Sequence, residues 1–578
     1  MDELKCKIIE SNDSDSFFEI ISEEYYKDRK GDKLLPSILS QLHNEGSLDL
    51  IKLFMRLENA SNNHDFFSIR HVFEEVLPLI KAPIREVADC VKHLTLEAGA
   101  DMAANMLMAP FKEFCKQNTE RPKQLLDMAL TDIDEEFDHL ATALESGSLI
   151  NASFYVNKGI ELLDHDNELV RQRATFALGR IKYVDQALLK SAVLTIKQTS
   201  QNSSSDTLLA ISMTAIFSIV LQSPDSECHF IEFIEDHINY FGERYVHAAS
   251  GILFYENGKI AEKIENRLLD ICCHTKPENK GTINNIDYAL EQLVKREKFD
   301  ICIIFLEQFF ELSDYKTSVK SFDSFVRVIQ QHKETYLSSL VTKWLTSKNL
   351  KLGKFCSDLL KGSEKGICLT FDTSALGNKN DGVHQFLARK ACGWFFTQPK
   401  TAISLIGSLI GSAPKEEIKE IQKIVFNPLL ISYPGSVKTH LELLLDSKNK
   451  KTSQLAKAVL SQFDDYQKNL KATSGISELR PSEQERHAYW KHHSKVMDDS
   501  MKKARGKSVL SSLFMGNESV LLYGNKSIYY VHHGDEKTRQ EMPLQKFSHS
   551  VEVASMINLD PHGLDNMLWQ FKAEGCNS

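Results

Sequence analysis

The tightest constraint on this chain is a pair of amphipathic stretches joined by four polar residues, at 149–181. In the first, LINASFYVNKGIELL, Ala152, Val156, Ile160 and Leu163 recur at spacings of four and three, the period of one helix face. The break is Asp164-His165-Asp166-Asn167, where the Asp166 carboxylate is placed to accept the unsatisfied N–H groups of a new first turn. The second stretch puts Val170, Ala174, Ala177, Leu178 and Ile181 on one face, and its small Ala residues and Gly179 permit close helix approach. Two short helices with one apolar face each are not stable alone in water. They need neighbours of the same kind, stacked so that the faces merge into a continuous core.

The positions Asp166, Val170-Arg171, Ala174, Leu178-Gly179 and Ile181 resemble a HEAT repeat over one unit of about 35 residues. The resemblance implies antiparallel helix pairs stacked in an α-solenoid. It also implies that Asp166 and Arg171 tie adjacent repeats together, a structural role. The same helix–break–helix rhythm recurs more loosely at 63–80 with 82–99, 206–222 with 227–240, 284–296 with 299–312, and 320–331 with 334–346. It continues through 384–395, 400–410, 415–431, 436–446 and 452–470. In 243–256, Tyr245, Ala248, Ile252 and Tyr255 share one side, with Val246, Ala249 and Leu253 beside it. Two interruptions read as loops: the polar run at 197–206 and the Gly-, Asn- and Asp-bearing run at 363–384. A long loop inside a helical array is either functional or mobile.

Composition supports helices over sheets. Gly 26 and Pro 14 make up about 7% of 578 residues, against roughly 12% in average proteins, and all-β folds need many Gly- and Pro-rich turns. No apolar run reaches the roughly 18 residues of a membrane span. The N-terminus lacks a signal-peptide core, and the eleven Cys show no paired spacing. Both point to a cytoplasmic protein with reduced thiols. Cys272 and Cys273, followed by His274, read as small buried hydrophobes. The formal charge of −10 confines any nucleic-acid role to a local patch.

The rhythm stops near 470. The expected organisation is a helical-repeat domain over 1–470, a linker at 471–481, and a small C-terminal α+β module over 482–578. Ser482 and Glu485 form a capping box that opens a helix to about Arg505. Gly524-Asn525 and Gly534-Asp535 mark hairpin turns between β-rich runs, TRQEMPLQKFSHSVEVAS can supply a third and fourth strand with Pro543 at an edge, and Asp560-Pro561 starts a final helix. The fold class is therefore mainly α, a HEAT-like solenoid with an appended α+β module.

Candidate chemistry gathers in that module. It holds seven His: His487, His492, His493, His532, His533, His549 and His562. Arg486 and His492 have five residues between them, the first being the polar His487, and this resembles the motif of HEPN-type ribonucleases. The resemblance covers seven residues and implies acid–base RNA cleavage by Arg486, His487 and His492; HEPN domains are helical bundles, whereas strands follow here. The stretch 486–507 carries a net +5. Its Lys491, Lys495, Lys502, Lys503 and Arg505 can pair with phosphates while Tyr489 and Trp490 stack on unpaired bases. GxSxG, HExxH and GxGxxG are absent, and Gly506-Lys507-Ser508 lacks the first glycine of a P-loop. No metal site and no cofactor are expected. The reading is a non-enzymatic scaffold that binds another protein through its helical-repeat surface. The alternative is a nucleic-acid-binding protein or metal-independent ribonuclease acting through residues 486–507. A repeat-based DNA glycosylase would need a continuous basic groove, which the acidic balance disfavours.

Overall fold

A computed structural model describes residues 2–11, 16–28, 34–59, 65–99, 101, 103–134, 137–223, 226–256, 258–360, 366–376, 382–473, 475–476, 481–506, 526–533, 536–543 and 552–576. The fold is mainly α. It divides into two units, Met1–Val328 and Ile329–Ser578.

In the first unit a run of helices follows the expected rhythm: α1 His139–Ser148, α2 Ala152–Leu162, α3 Glu168–Arg180, α4 Gln186–Gln201, α5 Asp206–Val220, α6 Glu227–Asp236, α7 Glu243–Tyr255, α8 Glu262–Cys272, α9 Lys280–Lys295 and α10 Phe299–Leu312. Each helix packs on at least one chain neighbour, and α1, α3, α5, α7 and α9 also pack side by side in one row. Helices α2, α4 and α6 form part of a second row. The row is close because small residues let it be: a Cβ on Gly179 would lie 2.6 Å from the Cα of Ala215.

Register along the row is held by carboxylates at helix starts. Helices α3, α5, α7 and α9 begin at residues 168, 206, 243 and 280, a step of 37 to 38. A helix N-terminus leaves N–H groups without intrahelical partners and carries a positive partial charge. Asp206, the first residue of α5, accepts from the backbone N–H groups of Arg244 and Tyr245 in α7 at 2.8 and 3.0 Å. Glu168, the first residue of α3, accepts from the Oγ of Ser205, the N-cap of α5, at 2.5 Å. Glu243 pairs with Lys276, just before α9, at 2.5 Å. Further on, the buried Asp287 of α9 accepts from the backbone of Ser324 and Phe325, both at 2.9 Å.

This device corrects the role expected of Asp166 and Arg171. The N-cap of α3 is Asn167, whose side chain accepts from Leu169 N. Arg171 donates to the carbonyls of His165 and Asp166 within its own turn. Neither residue makes a described bridge to a neighbouring helix pair: Arg171 spends its guanidinium on the turn that precedes its own helix. The 197–206 run is likewise only half loop, since α4 continues to Gln201 and Ser205 caps α5.

In the second unit α11 is Val383–Phe395, α12 Pro434–Leu445, and α13 Lys450–Ala472. The described part of 363–384 is docked. Residues 367, 369 and 371 donate alternate backbone N–H groups to the hydroxyls of Thr401, Ser404 and Ser408 along the helix Pro399–Leu409. Leu369 and Phe371 are buried beneath. Ser482 and Glu485 form the expected capping box at α14, Glu483–Gly506. Then β1 Lys526–His533 pairs antiparallel with β2 Glu536–Pro543. Both turn dipeptides and residues 544–551 lie outside the described residues.

The α+β module is corrected. The described strands make a two-stranded hairpin, and the last helix, α15 Pro561–Ala573, belongs with the helical array. It packs on α11, where Gly393 lets Phe571 and Leu568 approach to 3.1 and 3.2 Å of a notional Cβ. Arg389 pairs with Glu574 at 2.7 Å. Upstream, Glu552 accepts from Gly435 N and Ser436 N at the start of α12, at 2.6 and 2.9 Å. The segment after the hairpin is thus bonded to the same unit that α13 left.

Two tests follow from the packing. Gly179→Leu should destabilise the first unit by about 2 kcal/mol or more, read as a lower urea midpoint, because the obstacle is Ala215 backbone rather than a mobile side chain. His139 is buried beside Phe137, its Nδ1 has no hydrogen-bond partner, and burial pushes its pKa down to about 4. The unfolded chain therefore binds this proton first. The stabilisation is complete above pH 6.5 and falls as the pH drops towards 4, by about 2 kcal/mol at pH 5. In His139→Phe that part of the acid sensitivity should disappear from urea midpoints measured between pH 7 and pH 5.

Candidate functional site

A concave surface in the first unit lies across α5, α7 and α9. Each helix turns a face of residues spaced three and four apart outward: Ala210, Thr214 and Leu221 from α5 and its end, Ala248, Gly251 and Tyr255 from α7, and Gly281 and Asn285 from α9. Together they enclose a groove of about 1070 Å³. The floor is lined by small side chains. A Cβ added to Gly251 would meet nothing within 4 Å. The walls are apolar and exposed, with Tyr255 at 76% and Leu221 at 46% of full accessibility.

Polar cross-ties brace the groove without filling it. His247 Nδ1 lies 3.0 Å from Thr282 Oγ1, joining α7 to α9. Asn285 Nδ2 donates to Ser250 Oγ at 3.2 Å. Behind the wall, Phe254 contacts both Tyr255 and Tyr288, with ring centroids 4.8 Å apart in each case. At the mouth, Glu243, Arg244 and Glu256 bring charges of both signs. A second hollow of about 400 Å³ lies further along the row, where Glu145 of α1 holds both Lys112 and Arg180, at 2.7 and 3.2 Å, beside Phe176.

Such a surface can bind another molecule. Seven of the eleven cysteines are buried, including Cys272 and Cys273 as expected. Burial pushes the Cys273 and Cys115 thiols up to about 12, and Cys272 well above its ordinary value, so none of these three is a thiolate at neutral pH. Among the described residues, Cys228, His229 and Glu232 of α6 bring three kinds of metal ligand together.

The groove was partly visible in the sequence. Its spacing puts Tyr255 on one side with Tyr245, Ala248 and Ile252. In the structure Tyr245 and Ile252 are buried, Ala248 is half-buried and Tyr255 faces out. The apolar stripe of α7 therefore wraps more than half of the helix, more than one core contact can use. Gly251, mid-helix with open space before it, gave no signal beyond its cost to helix stability.

The residues singled out near the C-terminus lie on α14. Arg486, His487, Trp490, Lys491, His492, Lys495, Lys502 and Lys503 are all exposed, and Tyr489 is half-exposed. Arg505 lies in its last turn, while Lys507 is outside the described residues. Arg486 contacts Glu483 at 3.7 Å. Tyr489, Trp490 and His493 form a ring cluster with centroids 5.9 to 6.1 Å apart. At about 100° per residue, Arg486 and His492 stand roughly 120° apart round the helix and His487 and His492 roughly 140°. The helix alone therefore does not bring the three together. His532 and His533 are on β1, His549 is outside the described residues, and Asp560 is engaged in capping α15 through Gly563 N at 2.8 Å.

No helix among the described residues is long and apolar enough to cross a membrane. No protein-family model matches the chain, and no curated protein matches it either. Among solved structures, one described as "A conserved phosphorylation switch controls the interaction between cadherin and beta-catenin in vitro and in vivo" aligns over 80% of this chain and 100% of the other, at 10% identity and a TM-score of 0.17. A score that low carries no information on fold or partner.

Proposed function

We propose that this chain is a non-enzymatic recognition protein, a HEAT-like solenoid in its first unit, and that the groove across α5, α7 and α9 holds a segment of another protein. The observation that carries this reading is an apolar groove with exposed walls and a floor of small residues. Exposed contiguous apolar surface is costly to leave bare and marks interaction sites in soluble proteins. Small floor residues let a bound backbone come close, and aromatic walls such as Tyr255 supply contact area at little entropic cost. Helix row and groove are one object, since each repeat adds one strip of surface.

The test compares wild type with Gly251→Trp and Tyr255→Glu. The Cβ position of Gly251 is open, so Gly251→Trp projects into the groove and should not lower the urea midpoint. A protein captured by wild type, bound again after purification, and lost by at least tenfold in affinity in both variants supports the reading. Capture unaffected by both variants, or a purified chain that turns over a substrate, contradicts it.

A second reading is favoured by α14, whose basic and aromatic side chains are exposed along most of its length. Lys491, Lys495 and Lys502 fall on one side of the helix and can follow a phosphate backbone. Under this reading the chain binds single-stranded RNA or DNA. The triple variant Lys502→Gln, Lys503→Gln, Arg505→Gln should then weaken binding and reduce the salt slope by roughly one per lost contact. Were cleavage also present, His487→Ala and His492→Ala would abolish it. Absence of binding at low salt excludes this reading.

A further inference from the structure

Three side chains on α6 stand together for a reason the recognition surface does not supply. Cys228, His229 and Glu232 sit at positions i, i+1 and i+4 of the helix, and their ligand atoms all lie within 4.8 Å of one another. We propose that they form a binding site for a borderline-soft divalent cation, with Zn2+ as its natural class of ligand. A tetrahedral ion with bonds of about 2.0 to 2.3 Å needs ligand atoms roughly 3.4 Å apart. From separations of up to 4.8 Å that is a contraction of at most about 1.4 Å, which side-chain rotation achieves on a surface where Cys228 and Glu232 are exposed. Thiolate, imidazole and carboxylate together select Zn2+ or Co2+ over Mg2+ and Ca2+, which prefer all-oxygen shells. Three protein ligands leave the fourth position to water.

The second observation is how the neighbouring helix is arranged around Glu232. Lys197 of α4 contacts the Glu232 carboxylate at 2.6 Å and lies 3.8 Å from Asp236 one turn on. Gln201 of α4 donates to Asp236 at 2.6 Å. Lys197 therefore has a second carboxylate within reach. When Glu232 turns towards the cation, Lys197 moves to Asp236 and keeps an anionic partner. His229 Nδ1 already points at Glu232, 3.4 Å away. Binding replaces the thiol proton of Cys228, which leaves to solvent, and His229 ligates as neutral imidazole.

Accessibility separates this thiol from the rest. The other exposed cysteines are Cys6 and Cys368, and neither has a histidine and a carboxylate at ligand distance among the described residues.

The experiment titrates the purified, reduced full-length chain with Co2+ and reads the thiolate-to-cobalt charge-transfer band and the intense d–d absorption of tetrahedral cobalt, followed by displacement with Zn2+. One Co2+ per chain is expected. Cys228→Ser should remove the charge-transfer band, and His229→Ala and Glu232→Gln should each weaken binding at least tenfold. Lys197→Met should tighten it, because the competitor for Glu232 is gone. Cys6→Ser and Cys368→Ser should change nothing. The proposal is overturned if wild type gives no band at millimolar Co2+, if the band survives Cys228→Ser, if Cys6→Ser or Cys368→Ser removes it, or if His229→Ala and Glu232→Gln leave the affinity unchanged.

Discussion

The row of helices depends on how its N-termini are satisfied. Apolar burial is non-directional and would tolerate sliding of one helix along the next. A carboxylate that must meet two backbone N–H groups at 2.8 and 3.0 Å, as Asp206 meets Arg244 and Tyr245, tolerates very little. Such charge-assisted bonds to a helix start are among the stronger polar contacts in a protein. Asp287 on Ser324 and Phe325 repeats the arrangement, while Glu168 meets the side-chain hydroxyl of Ser205. The pair Glu243–Lys276 is the weak member, since both side chains are more than half exposed and water screens them. Unit two uses the same chemistry where Glu417 accepts from Gly382 N and Gln385 N, and where Glu552 caps α12.

Fixed register has a consequence for the surface. Side chains on α5, α7 and α9 form a groove because equivalent turns lie side by side. A slip of one turn, about 5.4 Å, would set Tyr255 opposite different neighbours and close the space before Gly251. Small residues act at two places with opposite results. Gly179 is pressed against Ala215 and buries its free space, whereas Gly251 leaves space open to solvent. The first holds the row together and the second makes room for something else.

Most helices could be read from the sequence because their apolar spacing is local. The pair at 149–181, the capping box at Ser482 and Glu485, and the start of the last helix at Asp560-Pro561 all rest on residues within a few positions of one another. What could not be read depends on partners far along the chain. Asp206 carries no mark that distinguishes it from an ordinary first-turn acid until α7 is placed beside it. Thr401, Ser404 and Ser408 look like any hydroxyls on a helix, yet they receive the backbone of 367–371. Asp166 and Asn167 are both good caps by type, and only backbone geometry selects Asn167. Strand-forming residues before the tail point to a separate module, but Glu552, Gly393 and Arg389 place it on the helical array instead.

The claim beneath the rest is that carboxylates bonded between helices, rather than apolar contact alone, set the register of the row. Hydrogen exchange of Asp206→Ala against wild type tests it directly. The account predicts lost protection at the first turn of α7, around Arg244 and Tyr245, spreading to the groove-facing turns of α5 and α7 while the buried centre of α5 stays protected. Unchanged protection at the start of α7, or uniform loss across the whole unit, would contradict it.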